Sequence, residues 1–151
     1  MSIYFGADSS VQHSAAGGKI LQVVNNQSST NKTTSGDTVL ALTSVTITPS
    51  SSSNWILLFF TCSVMANSSS KGEAQVRLYR GSTSGTFLGG QLGGAAYARN
   101  EHASFGINLR DNPNTTSATT YTLAIRRKDS GTSYVTTDSR SYAVTALEIS
   151  A

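Results

Sequence analysis

The stretch Trp55-Ile56-Leu57-Leu58-Phe59-Phe60-Thr61-Cys62-Ser63-Val64-Met65-Ala66 decides the fold. Side chains on a strand alternate between two faces. One face is then Ile56, Leu58, Phe60, Cys62, Val64 and Ala66, apolar throughout. The other opens with Trp55, Leu57 and Phe59 and turns polar at Thr61 and Ser63. A strand in a two-sheet sandwich needs one apolar face for the core. The second apolar patch needs a cover of its own.

Outward from this stretch, strand-like runs alternate with turn-like runs. Strands are expected at about 19–25, 37–48, 55–66, 73–80, 86–92, 102–109, 119–128, 132–137 and 141–149. The separators are rich in Ser, Asn, Gly and Asp, which favour turns. In 73–80, Ala74, Val76 and Leu78 share a face opposite Gln75 and Arg77. In 102–109, Ala103, Phe105, Ile107 and Leu109 oppose His102, Ser104 and Asn108, and in 119–128 Tyr121, Leu123 and Ile125 face inward. This is the pattern of half-buried antiparallel strands. The expected fold is all-β: an antiparallel two-sheet sandwich of jelly-roll type with 8–9 strands. Residues 1–18 read as a short N-terminal arm and 19–151 as the sandwich.

Strands 19–25 and 141–149 are also two-sided. Leu21 and Val23 oppose Ile20 and Val24, and Leu147 and Ile149 oppose Tyr142 and Val144. Apolar surface beyond the core of one sandwich marks an interface. Leu21, Val23, Trp55, Leu57 and Phe59 are therefore the expected subunit contacts. The competing cover is the arm or a long loop of the same chain. In the arm, Ile3, Tyr4 and Phe5 form an apolar cluster outside the sandwich pattern, suited to docking on a partner.

Composition supports the all-β reading. Ser and Thr together make 44 of 151 residues, with 13 Gly and 2 Pro. These are poor helix formers and good strand, turn and cap residues. A chain of this length buries enough surface to fold without disulfide or metal. Its one cysteine, Cys62, excludes an intramolecular disulfide and any multi-cysteine zinc site. Residues 1–18 lack a basic region followed by a continuous apolar stretch, so no secretory signal is expected. The longest apolar run, 55–60, has 6 residues, so no membrane-spanning helix is expected.

The formal charge of +3 comes from 11 basic and 8 acidic residues, a small excess. The one cluster of three cations, Arg126-Arg127-Lys128, alternates faces on a strand and is followed by Asp129. No nucleic-acid partner is expected.

Catalytic chemistry is scarce. His13 and His102 are the two neutral-pH acid–base candidates, and His102 beside Glu101 reads as a solvated strand end. Gly81-Ser82-Thr83-Ser84-Gly85 puts Thr83 where a nucleophile elbow needs Ser, and reads as a hairpin loop. Gly89-Gly90-Gln91-Leu92-Gly93-Gly94 fails the dinucleotide-binding order. Asp111-Asn112-Pro113-Asn114 reads as an Asx turn in preference to a calcium loop. The expectation is no enzyme, no catalytic residue, no metal and no cofactor.

Five segments, in order, resemble a jelly-roll module of tailed-bacteriophage virion proteins. They are Gly18-Lys19-Ile20-Leu21-Gln22-Val23-Val24; Val45-Thr46-Ile47-Thr48-Pro49-Ser50 leading to Trp55-Ile56-Leu57-Leu58; Val76-Arg77-Leu78-Tyr79-Arg80; Tyr121-Thr122-Leu123-Ala124-Ile125-Arg126; and Ala146-Leu147-Glu148-Ile149. The resemblance implies a homotrimeric virion component on the particle's exterior, made in the host cytoplasm. Its partners would be further copies of itself and the major capsid protein or another virion protein. Two roles follow: a capsid cement or decoration protein, or a tail-fibre or receptor-binding tip. A fibre protein carries a long N-terminal shaft where this sequence has 18 residues, so cement or decoration is the first expectation.

Overall fold

The computed structural model describes residues 18–35, 38–68, 73–89, 95–97, 102–127 and 132–151. The expected arm with Ile3, Tyr4 and Phe5, the Glu101 neighbour and most of the Gly89–Gly94 motif lie outside these residues. The described chain forms β1 (Ile20–Ser28), β2 (Thr33–Thr34), β3 (Leu40–Ile47), β4 (Trp55–Ser68), β5 (Glu73–Arg80), β6 (Thr86–Phe87), β7 (Ala95–Tyr97), β8 (His102–Asp111), β9 (Thr119–Arg127), β10 (Thr132–Thr136) and β11 (Tyr142–Ile149). It contains no helix among the described residues.

Two antiparallel sheets result. The first runs β1-β11-β4-β8, with β10 and β2 continuing along the β11 side of β4. The second runs β3-β9-β5-β6, with β7 also paired to β5. The pairing is nested: β1 with β11, β3 with β9, β4 with β8, and β5 with β6 and β7. A long hairpin rolled over itself gives this order, which is the jelly roll. The core lies between the sheets. Ile56, Leu58, Phe60, Cys62 and Val64 meet Val76, Leu78, Tyr121, Leu123 and Ile125 there. Burial pushes the Cys62 thiol up to about 12, so it packs as a small apolar group.

Several boundaries differ from expectation. β1 continues to Ser28 through Asn25, Asn26 and Gln27, residues that read as turn-formers. Their side chains find partners: Asn25 Nδ2 donates to Thr145 Oγ1, and Asn26 Nδ2 donates to Ser44 O on the other sheet. Of the strand expected over 86–92, Thr86–Phe87 is regular, Leu88 and Gly89 are not, and 90–92 lie outside the described residues. Leu88 N still donates to Leu78 O, but Gly89 follows with no side chain to pack. β2 and β7 lie inside stretches that read as loops.

Alternation in β1 is also broken. A bulge between Ile20 and Gln22 shifts the register against β11. Ile20 is exposed as a result, together with Leu21 and Val23, and Val24 alone of that apolar cluster packs on the core. His102 is not a solvated strand end. It is largely buried, and its Nε2 lies 3.1 Å from Asp138 Oδ2 in the β10–β11 turn.

Candidate assembly face and its buried supports

The outward side chains of the first sheet line up in rows set by register. Ile20, Ile149 and Trp55 form one row. Val23, Leu147, Leu57 and Arg110 form the next, and Asn25, Thr145, Phe59 and Asn108 the third. The exposed apolar residues include Val23 at 57 %, Ile20 at 53 %, Leu21 at 43 % and Phe59 at 41 %. Trp55 and Leu57 are half-buried. Val23, Trp55, Leu57 and Phe59, four of the five residues expected as subunit contacts, thus lie on this sheet's outer side, and Leu21 is exposed in the bulge. Leu147, Ile149 and Ile20 extend the patch beyond them.

The second sheet's outer side is different. Gln75 and Arg77 of β5 face outward, Arg77 donating to Gln75 Oε1 at 2.7 Å. Thr46 and Thr120 pair their hydroxyls at 2.9 Å. Phe87 is an exposed aromatic there, packed on Tyr79 at 5.4 Å between ring centroids, with the Arg77 guanidinium 5.2 Å over its ring. The first outer face is therefore apolar at its Trp55 end and turns polar at Thr61, Ser63 and Ser104, whereas the second is polar at Gln75, Arg77, Thr46 and Thr120. Water solvates the second at little cost, while the first gains from burial.

At one end of the apolar face lies a groove of about 630 Å³ lined by Gly18, Trp55, Leu57, Arg110, Ile149, Ser150 and Ala151. The Arg110 guanidinium sits 3.8 Å over the Trp55 ring, a cation–π contact that holds one face of the indole.

Two buried carboxylates hold this end of the sandwich. Glu148 points inward from β11 and is fully shielded. Its Oε1 accepts from Ser50 N at 2.6 Å, Ser50 Oγ at 2.7 Å and Asn54 Nδ2 at 2.6 Å. Its Oε2 accepts from Gln22 Nε2 at 2.5 Å, and Gln22 also donates to Thr48 O. Burial alone would push this carboxyl up. The hydrogen bonds from Asn54, Gln22 and Ser50 outweigh burial and hold it at about 2. Glu148 thereby joins β1, the β3–β4 turn and β11. Asn54 Oδ1 in turn accepts from Ala151 N, next to the groove.

Asp111 is the second carboxylate. It accepts from Arg80 Nη2 at 2.7 Å and from Tyr121 Oη at 2.7 Å. Burial, then the hydrogen bond and charge of Asp111, push the Tyr121 hydroxyl well above its ordinary value, so it stays a donor. The Asx turn expected at 111–114 forms, with Asn114 N donating to Asn112 Oδ1. Asp111 itself is drawn into the ion pair. These contacts fix the ends of β5, β8 and β9 together, and Gly81 N donates to Thr120 O. The β3–β4, β5–β6 and β8–β9 connections, rich in Ser, Thr and Asn, thus share one end of the sandwich.

The 81–85 segment is a hairpin loop, with Gly85 N donating to Ser82 O at 2.8 Å. Among the described residues no three His, Cys, Asp or Glu side chains gather as a metal site.

No protein-family model matches the chain, and no curated protein matches it. Among solved structures it is similar to a chain of Bacillus endospore appendages, a family of disulfide-linked pili. Identity is 12 % and TM-score 0.38, over 92 % of this chain and 98 % of that one. It is also similar to a chain of infectious bursal disease virus, Gx strain, at 11 % identity and TM-score 0.45. That likeness covers 86 % of this chain and 40 % of the other.

Proposed function

We propose that the protein is a structural component of a bacteriophage virion, a homotrimeric cement or decoration protein on the outside of the shell, with no catalytic role. The observation that carries the assembly part is the contrast between the two outer faces. Ile20, Val23, Leu57, Phe59 and Leu147 present apolar surface on one sheet, while the other presents Gln75, Arg77, Thr46 and Thr120. Burying each large apolar side chain contributes roughly 1.5–3 kcal/mol relative to full exposure. A closed ring of three copies would cover these faces without leaving one open. The virion setting comes from the sequence resemblance.

The alternative role, a receptor-binding tip, is favoured by one feature. The polar connections at one end are held by Glu148 and Asp111, which would give a ligand a preorganised surface. Quantitative mass spectrometry of purified particles separates the roles. Cement predicts hundreds of copies per particle and a tip predicts a few dozen or fewer. Absence from purified particles would overturn both.

A further inference from the structure

We propose that the groove at Trp55 is the socket for the protein's own leader, with Ile3, Tyr4 and Phe5 seated against Trp55, Leu57 and Ile149. This goes beyond the trimer reading: it gives Trp55 and Leu57, two of the expected subunit contacts, to the leader and leaves the Val23, Phe59 and Leu147 surface beside the groove for further copies of the chain.

Three observations converge. The groove is lined mainly by apolar side chains and by Gly18, the first described residue, so the leader joins the body at the socket itself. Gly18 turns there with φ +83°, a conformation that favours glycine, and a Cβ on it would sit 3.2 Å from Ile149 Cγ2. The chain therefore passes close against the groove wall. The 17 residues before Gly18 carry one compact apolar cluster, Ile3-Tyr4-Phe5, followed by mostly small and polar residues including Ser9, Ser10, Ser14, Ala15, Ala16 and Gly17.

Reach and chemistry both fit. Residues 6–17 span at most roughly 40 Å at ~3.3 Å each, ample to return to the socket. A tether of this length places the cluster at an effective concentration on the order of millimolar. No separate partner matches that without high affinity. The occupant also suits the lining. Arg110 covers one face of the indole, leaving the remaining apolar wall for Tyr or Phe rings, which favour edge or offset contacts.

The test uses the full chain. Trp55 is the single tryptophan, so its emission reports on the socket. Replacing Ile3, Tyr4 and Phe5 together by Ser should shift the emission to the red and increase acrylamide quenching, with the far-UV circular dichroism unchanged. Unchanged emission and quenching in a folded variant would overturn the proposal.

A second measurement identifies the occupant. A photo-reactive benzoylphenylalanine at position 4, in a mixture of isotopically light and heavy chains, should cross-link to the segment around Trp55 and Leu57 within one chain. Cross-links joining light to heavy chains would show a neighbour's leader in the socket and overturn own-chain docking. Cross-links elsewhere would overturn the socket itself.

Discussion

Replacing Glu148 by Gln keeps the side chain's length and removes its charge. The carboxyl sits at about 2 in the folded protein against an ordinary value of 4.5. That difference corresponds to about 3 kcal/mol of folding free energy. The direction follows from the shift. Between pH 4.5 and 2 the unfolded chain binds a proton that the folded chain refuses, so acid favours unfolding. The contribution is complete above pH 4.5 and lost as pH falls through 2. In the Gln variant, Oε1 can still accept from Ser50 and Asn54. The amide nitrogen then faces Gln22 Nε2, and two donors meet. Gln22 can turn its oxygen inward, but it then gives up its bond to Thr48 O. The variant should lose about 2–3 kcal/mol at neutral pH. Urea denaturation at fixed protein concentration, from neutral pH down to about 2, gives the comparison. The gap between wild type and variant should close as the solution is acidified. Parallel profiles for the two proteins from pH 4.5 to 2 would refute the account of this network.

Phe59→Asp should leave the sandwich folded but weaken assembly, whereas Phe60→Asp, at a position 4 % exposed, should cost several kcal/mol and block folding; size-exclusion chromatography with circular dichroism separates the outcomes. Asp111→Ala strands the Arg80 guanidinium and the Tyr121 hydroxyl. Arg80 keeps about a third of its surface in water, so the expected loss is ~2–3 kcal/mol, read by thermal denaturation. Gly85→Ala places a Cβ 2.2 Å from Arg80 O, which forces the hairpin loop open and should lower stability by about 1–3 kcal/mol in the same assay.

The sandwich was legible because its central strand alternates cleanly. Trp55, Leu57 and Phe59 against Ile56, Leu58 and Phe60 gave both the core and the outer patch from period-2 spacing alone. Tyr121, Leu123 and Ile125 behaved likewise. The bulge at Leu21 was hidden, because Ile20-Leu21-Gln22-Val23-Val24 reads as a regular strand and only the register against β11 displaces it. Glu148 was missed for a different reason. Its position in Ala146-Leu147-Glu148-Ile149 follows the inward parity of Val144 and Ala146, but a carboxylate there looks like a frayed strand end. Its partners Gln22, Ser50 and Asn54 lie at least 94 residues away in sequence, so no local pattern could join them. Asp111 stands in sequence beside Asn112 and Asn114, the pattern of an Asx turn, while Arg80 and Tyr121 draw it inward from other strands.

The central claim is that the apolar outer patch of β1, β11 and β4 mates with further copies of the chain. Multi-angle light scattering on the purified protein at micromolar concentration tests it most directly. The account predicts three times the chain mass of 15.8 kDa. A mass of one chain at every concentration measured would contradict it.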